Sequence, residues 1–131
     1  MAKRILIIED EATQVLLLES RLRASGFEIA RAMSGEEGLE KARTLKPDLV
    51  LLDVILPGIT GLEVSQRMRE EEATRDIPVI LVTASQMKDL ETRSKIFGIT
   101  ALLTKPYAFA DLLGKVNSLL PPESAAAPSN A

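Results

Sequence analysis

Short apolar runs alternate along the chain with longer segments that have helical periodicity. Three runs are strongly apolar and two are weaker, and in chain order they cover Ile5–Ile8, Phe27–Ala30, Leu49–Leu52, Val79–Val82 and Ala101–Leu103. Runs of this length without polar alternation are typical of strands that are buried on both faces, as parallel strands are. The pattern therefore predicts the strands of an internal parallel sheet.

Helical segments separate these runs. Thr13–Ser25 stops at Gly26, and the segment near Lys88–Phe97 stops at Gly98; glycine commonly follows the last turn of a helix. The last segment is the clearest helix, because its apolar residues fall on one face: Phe109, Leu112, Leu113, Val116 and Leu120.

Two capping boxes predict further helix starts. In this motif a serine or threonine and a following glutamate satisfy backbone amides at the start of a helix. Ser34–Glu37 is one such box, and Thr60–Glu63 is a second candidate. The helix after the first box has an apolar stripe of Leu39, Ala42 and Leu45, and it ends before Pro47.

Strict alternation of strands and helices predicts an α/β fold, a doubly wound parallel sheet with helices on both faces. Its crossovers are expected to be right-handed. After Leu120 the composition changes to proline, alanine and serine, which is typical of a flexible segment. We predict a single domain over residues 1–120 and a flexible tail or linker over 121–131. The sequence leaves open whether the chain stands alone or belongs to a longer protein.

Composition narrows the function classes. The formal net charge of -3 gives no basic field, so we expect no direct binding of nucleic acid or of an anionic membrane. The chain has no cysteine, which fits a reducing compartment, and we expect a cytoplasmic protein. It also has no histidine, so any histidine in its chemistry must belong to a partner.

Polar residues follow the predicted strands at the points where they end. Glu9 and Asp10 follow the first strand, Asp53 follows the third, and Thr83 and Lys105 follow the fourth and fifth. In open parallel sheets, ligands bind beyond the carboxyl ends of the strands. A carboxylate directly after a buried strand is costly to place unless something uses it.

The charges of these residues indicate which ligand they would bind. Clustered carboxylates repel one another, and a hard divalent cation with oxygen ligands removes that stress. Mg²⁺ is the best candidate, since it commonly binds through one or two carboxylates together with phosphate oxygens and water. Asp53 is then the nucleophile for a phosphoryl group, which Mg²⁺, Lys105 and Thr83 would surround.

Each of these residues also has a plainer interpretation when taken alone. Glu9–Glu11 could begin a helix, where acids are favourable, and Asp53 could cap a turn. Thr83 could be a helix N-cap, and Lys105 a solvated lysine. Because polar residues follow four of the predicted strands, the set as a whole favours a ligand-binding site.

In these motifs the chain resembles the receiver domains of two-component response regulators, over about residues 3–120. The resemblance rests on four segments in order: Ile7–Glu11, Leu52–Glu63, Val82–Ala84 and Lys105–Tyr107. It implies a flavodoxin-like (βα)5 fold with strand order 2-1-3-4-5, in which the first and third strands are neighbours.

The resemblance also implies a role for each site residue. Asp53 would be the phosphoacceptor. The metal ligands would be Glu9, Asp10, Asp53 and the backbone carbonyl of Ile55, with Mn²⁺ as a substitute for Mg²⁺. Thr83 and Lys105 would contact the phosphoryl group, and the bond from Lys105 to the following proline would be cis.

Two departures from the family pattern concern the surface that signals. Receivers usually carry an aromatic residue where this chain has Leu102, and that ring follows the threonine in the switch. Thr83 and Leu102 are therefore the predicted switch pair, without the ring. The acidic residues that support a dimer in one large subfamily are replaced at Gly98–Ala101, so we expect a monomer or a weak homodimer.

The predicted function is phosphorelay signalling, not a separate enzymatic turnover. A histidine kinase or a histidine phosphotransfer protein would supply the phosphoryl group, and a downstream effector protein would respond. The alternative is an interaction module of the same fold that works without phosphorylation. A phosphatase with an aspartate nucleophile is disfavoured, because Ile55 stands where such enzymes carry a second aspartate. Ile55 and Ser85 offer no acid or amide to an attacking water, so slow self-dephosphorylation is expected.

Overall fold

A computed structural model describes residues 2–84 and 89–120 of the chain. Within these ranges strands and helices alternate as β1 (Arg4–Ile8), α1 (Ala12–Ala24), β2 (Glu28–Ala32), α2 (Gly35–Leu45), β3 (Leu49–Leu52), α3 (Gly61–Glu70), β4 (Val79–Thr83), α4 (Leu90–Ile96), β5 (Ala101–Thr104) and α5 (Phe109–Leu119). The predicted α/β fold is confirmed. The predicted tail at 121–131 lies outside the described residues, as do Ser85 and Lys88.

All strand pairs are parallel, and the order across the sheet is β2-β1-β3-β4-β5. This is the flavodoxin-like order that the resemblance implied. Ile8 pairs with Leu52 at the ends of β1 and β3, so the two strands stop at the same level. The backbone amide of Asp53 continues the ladder by donating to the Ile8 carbonyl at 3.2 Å. Glu9 and Asp53 therefore leave neighbouring strands side by side.

Alternate residues of the strands pack into two cores, one on each face of the sheet. Residues of α2 and α3 cover one face, and the buried cluster there includes Leu6, Ile8, Leu39, Ala42, Val50, Leu52, Val64 and Met68. Residues of α1 and α5 cover the other face, and that cluster includes Ile5, Ile7, Val15, Leu22, Leu49, Leu51, Leu112 and Val116. Burial on both faces explains why these strands lack polar alternation.

Both predicted N-caps form, but neither makes the full reciprocal box. Ser34 accepts a hydrogen bond from the amide of Glu37 at 3.1 Å, and Thr60 accepts one from the amide of Glu63 at 3.2 Å. The Glu37 carboxylate instead accepts from the amide of Met33 at 2.8 Å. Glu63 pairs with an arginine one turn further along α3. The caps start the helices, and the glutamates stabilise neighbouring groups.

The structure differs from the sequence-based predictions at two places, the limits of β2 and the burial of Leu45. Strand β2 begins one residue after Phe27 and extends to Ala32, because its pairing with β1 sets its limits. Leu45 was assigned to the apolar stripe of α2 but is 37% exposed. It is the last residue of that helix, beyond Ala42, which is fully buried.

Candidate functional site

Side chains from three strand ends meet at the carboxyl edge of the sheet. The Lys105 ammonium lies 2.9 Å from Glu9 Oε1 and 3.3 Å from Asp53 Oδ2. Lys105 follows β5, so its long side chain reaches past β4 to the acids that follow β1 and β3. All three side chains are at most 18% exposed. The interpretation of Lys105 as a solvated lysine is therefore wrong.

Burial and charge act on this cluster in opposite directions. Burial is the largest influence on Glu9 and raises the pKa of its carboxyl, although the hydrogen bond and charge of Lys105 oppose it. Burial is also the largest influence on the Lys105 ammonium, but Glu9 and Asp53 together outweigh it and raise the lysine pKa. Lys105 thus stays charged. The Glu9 carboxylate is more deeply buried, and the positive charge of Lys105 only partly offsets its loss of hydration. Further positive charge at this edge would stabilise its ionised form.

Thr83 and Asp10 occupy contrasting positions around this cluster. Thr83 is the last residue of β4, between the ends of β3 and β5, and is only 1% exposed. Its carbonyl accepts a hydrogen bond from the amide of Lys105 at 2.9 Å. Thr83 is not the N-cap of α4, the next described helix, because that helix begins after Asp89. Asp10 is exposed to solvent, and no hydrogen bond or ion pair with another described residue joins it to the cluster.

The loop after β3 fixes the backbone of Asp53. The amide of Ile55 donates to Asp53 Oδ1 at 3.3 Å, and the Ile55 side chain is 68% exposed. Gly61 begins α3 against the Asp53 backbone, and a β-carbon at Gly61 would lie 1.9 Å from the Asp53 carbonyl oxygen. The amide of Gly61 donates to the Val54 carbonyl at 2.8 Å. Only glycine permits this close approach of α3 to the residue that carries the acid.

The donors at this edge have the chemistry of a magnesium site. Among residues 2–84 and 89–120, no group of three or more acidic, histidine or cysteine side chains has the spacing of a preformed metal cage. The Lys105 ammonium contacts the carboxylates of both Glu9 and Asp53. Mg²⁺ needs only one or two carboxylates and keeps several waters. The incompletely compensated Glu9 therefore fits a Mg²⁺ ligand without a preformed cage.

Comparison with known proteins identifies the family. The family model of the response regulator receiver domain matches residues 5–117. The chain belongs to the response regulator receiver family. Such receivers are signalling domains, not conventional enzymes, and in two-component systems they act with histidine kinases and effectors. None of the described helices combines the length and apolar character needed to cross a membrane.

Individual relatives agree with this assignment. The polar-differentiation response regulator DivK of Brucella ovis is 39% identical over 120 residues, which are 92% of this chain and 98% of DivK. A putative response regulator structure from Chloroflexus aurantiacus has a TM-score of 0.86 and 32% identity, and the match covers 92% of this chain and 98% of that one. The response regulator TrrA of Thermotoga maritima, solved in complex with Mg²⁺-BeF, has a TM-score of 0.81 and 37% identity over 90% of this chain and 99% of TrrA.

Other features that the resemblance implied for this receiver can now be placed. The peptide bond from Lys105 to Pro106 is cis, as expected. Leu102 is partly buried and packs against the core on the α2–α3 side. Tyr107 and Phe109 pack against the opposite core. Burial raises the pKa of the Tyr107 hydroxyl.

One residue of the site was missed in the sequence. The side-chain oxygen of Gln14 accepts a hydrogen bond from the Lys105 ammonium at 2.7 Å, shorter than either contact of that ammonium with a carboxylate. Gln14 lies in the first turn of α1, which begins just after Asp10. Its position four residues after Asp10 on a helix that starts at the strand edge was the available signal. Glutamine at an exposed position of a helix is so common that the signal carried no weight alone.

Proposed function

We propose that this receiver accepts a phosphoryl group on Asp53 from a histidine of a partner protein, in a Mg²⁺-dependent reaction. The observation that carries the proposal is the position of the Lys105 ammonium, 3.3 Å from Asp53 and 2.9 Å from Glu9 at the carboxyl edge of the sheet. A cation there can compensate the charge of a phosphoryl group on Asp53. The partner is a histidine kinase or a histidine phosphotransfer protein, since this chain has no histidine.

The transfer forms one bond and breaks one. A carboxylate oxygen of Asp53 attacks phosphorus while the bond from phosphorus to the partner's imidazole nitrogen breaks. The electron pair of that bond stays on the imidazole, which takes a proton from solvent. Lys105 exchanges its contact with Asp53 for a phosphoryl oxygen, and the Thr83 hydroxyl donates to another.

Mg²⁺ would be bound by Glu9, Asp10, Asp53 and the backbone carbonyl of Ile55, with Mn²⁺ as a substitute. When bound, the ion neutralises negative charge on the acids and on the phosphoryl oxygens. The chemistry of the donors supports this assignment, because carboxylate and carbonyl oxygens are the ligands that hard cations prefer. The raised pKa of Glu9, caused first by burial, supports it too.

Phosphorylation would reach the surface through Thr83 and Leu102. Thr83 is 1% exposed, so a hydroxyl that turns toward a phosphoryl group vacates space in a packed region. Leu102 is on the neighbouring strand and packs against the same buried cluster as Leu90 and Phe97, which belong to α4 and its C-terminal end. A shift of Leu102 would change how α4 packs. An effector protein that binds this face of a cytoplasmic monomer or weak homodimer would sense the change.

Leu102 also supports a second candidate function, an interaction module that works without phosphorylation. Leucine has no ring to move between a buried and an exposed state, so the face that includes Leu102 could bind a partner without phosphorylation. Asp53→Ala distinguishes the two. Partner binding that is insensitive to this change supports the interaction module, and loss of regulated binding supports the phosphorelay.

Intact mass spectrometry after incubation with acetyl phosphate and Mg²⁺ tests the main proposal. We expect a single phosphate adduct on the wild type, no adduct on Asp53→Asn, and none on the wild type when EDTA removes the metal. Asp48→Asn is the matched control, since Asp48 precedes β3 and accepts a hydrogen bond from the amide of Arg4, the first residue of β1, at the opposite edge of the sheet. An unmodified wild type, or an adduct that persists in Asp53→Asn, contradicts the proposal. Slow loss of the adduct stays a prediction, and Ser85, on which it partly depends, lies outside the described residues.

A further inference from the structure

We infer that Gln14 is a positioning residue for phosphoryl transfer, which acts by fixing the Lys105 ammonium. An ammonium group has three N–H donors and no acceptor. In this receiver the acceptors within reach are Gln14 Oε1 at 2.7 Å, Glu9 Oε1 at 2.9 Å and Asp53 Oδ2 at 3.3 Å. The three donors are thus matched by three acceptors, and the shortest contact is with the neutral amide. This inference rests on the proposed function and adds a residue to its machinery.

The neutral amide does what a third carboxylate could not. A lysine side chain is long and flexible, and ordering it costs conformational entropy. Gln14 belongs to a helix whose packing against the sheet fixes its backbone. Its amide orients the ammonium without adding negative charge to a site that must accept an anionic phosphoryl group.

The order of the contact distances indicates which contact is exchanged. The contact with Asp53 is the longest of the three, so the donor used there is the one most easily given to a phosphoryl oxygen. Gln14 and Glu9 then keep the ammonium in place during the exchange. Without Gln14 only the two carboxylates would direct it, and it would move toward their oxygens and away from the incoming phosphoryl group.

An exposed glutamine on a helix is usually just solvated, and two observations argue against that here. The Gln14 oxygen is at hydrogen-bond distance from a lysine whose side chain is only 18% exposed. Gln14 also lines the same small cavity as Glu9, Asp53 and Lys105, so it forms part of the wall of the site. Its exposure is that of a residue at the mouth of a cleft.

Gln14→Met tests the inference, because methionine is close in size to glutamine, is a good helix former and replaces the amide oxygen by a thioether sulfur, which is only a weak acceptor. Gln66→Met is the matched control, since it makes the same change at an exposed position of α3. We would measure the rate of phosphorylation by acetyl phosphate, the Mg²⁺ affinity by calorimetry and the thermal unfolding midpoint. For Gln14→Met we expect phosphorylation to slow on the order of tenfold, below the roughly hundredfold effect of a 1 Å misplacement. We expect Mg²⁺ affinity and midpoint to match those of Gln66→Met.

A second readout follows the lysine directly. Nitrogen-15 NMR of the Lys105 ammonium reports its hydrogen exchange, which hydrogen bonds slow. Exchange should quicken in Gln14→Met and stay at the wild-type rate in Gln66→Met, which a merely structural role of Gln14 would not produce.

The outcomes separate this inference from the proposal on which it rests. If the wild type is phosphorylated and Gln14→Met reacts at the same rate, Gln14 has no positioning role and the proposed function stands. If Gln14→Met slows only in proportion to a lost midpoint, the role is structural and the inference is wrong. If the wild type takes no phosphoryl group, the proposed function fails and this inference fails with it.

Discussion

Two half-buried cations lie at opposite edges of the sheet, and their partners differ. At the carboxyl edge, Lys105 contacts the carboxylates of Glu9 and Asp53 and the amide of Gln14. At the amino edge, Arg69 donates to backbone carbonyls of residues that precede β4 and β5: Arg75 at 2.9 Å, Ile77 at 2.7 Å and Gly98 at 3.0 Å. Both groups lose hydration, but of the two only the lysine contacts carboxylates directly, through Glu9 and Asp53.

The pKa directions record this difference. Burial lowers the pKa of the Arg69 guanidinium, and the charge of Asp76 offsets this only in part. For Lys105 the nearby carboxylates outweigh burial and raise the pKa. The partners of Arg69 are backbone carbonyls, which cannot move away without rearranging the loops that carry them. Side-chain carboxylates can exchange their cation for a metal or share it with a phosphoryl group. We therefore propose that the lysine serves the chemistry and that the arginine serves stability.

Substituting each cation by methionine should separate these roles, and the largest effect is expected at Lys105. Lys105→Met should slow phosphorylation of Asp53 by acetyl phosphate on the order of 10²- to 10³-fold, because it removes a charge aimed at the phosphoryl group. Arg69→Met should change that rate by less than about twofold. Time courses by intact mass spectrometry measure both, with the exposed Lys95→Met as control. Equal losses at Lys105 and Arg69 would break the comparison.

Arg69→Met should have the larger effect on stability. It removes several charge-assisted hydrogen bonds and leaves carbonyls of two loops without this donor, which we expect to cost about 2 kcal/mol in the free energy of unfolding. Arg67→Met is the matched control on the same helix, since Arg67 makes an exposed pair with Glu63, and it should cost about 0.5 kcal/mol or less. Urea unfolding at neutral pH measures both. A loss at Arg69 no larger than that at Arg67 would show that the buried donor has no structural role.

The smallest expected effect is on the pH dependence of the free energy of unfolding. It extends the comparison from the two cations to two carboxylates, Glu9 and Glu37. Burial raises the pKa of Glu9, whereas the backbone amide of Met33 and then Lys41 lower that of Glu37. A lowered folded-state pKa contributes stability that is present above the ordinary value of 4.5 and is lost as the pH falls through the folded value. Glu37→Gln should therefore lose a few tenths of a kcal/mol at neutral pH, given its exposure, and show a shallower loss of stability in acid.

Urea unfolding of wild type and Glu37→Gln at about pH 7 and about pH 3 checks this sign. Glu40→Gln is the control, on the exposed face of the same helix. An acid loss in Glu37→Gln as steep as that in the wild type would mean that the Met33 amide contributes nothing to the titration.

Local pattern was enough for most of the fold. The strands β1, β3 and β4 are buried on both faces, and an unbroken apolar run is the direct record of that burial. Ser34 and Thr60 marked helix starts because a cap is a local hydrogen bond. The limits of β2 were less well predicted, since an edge strand is defined by its partner, and Leu45 was misassigned because periodicity does not tell where cover by the sheet ends.

By itself, the sequence determined the element order, the three acids at two strand ends, and the absence of a histidine of its own. Those features depend on residue type and spacing along the chain. The tertiary structure alone decided that Lys105 lies between Glu9 and Asp53, and that Gln14 completes its contacts. The physical reason is that β5 and α1 are far apart along the chain, and only the parallel sheet brings the end of one beside the start of the other. Such contacts leave no periodic trace in the sequence, because a single hydrogen bond constrains one side chain and not a pattern.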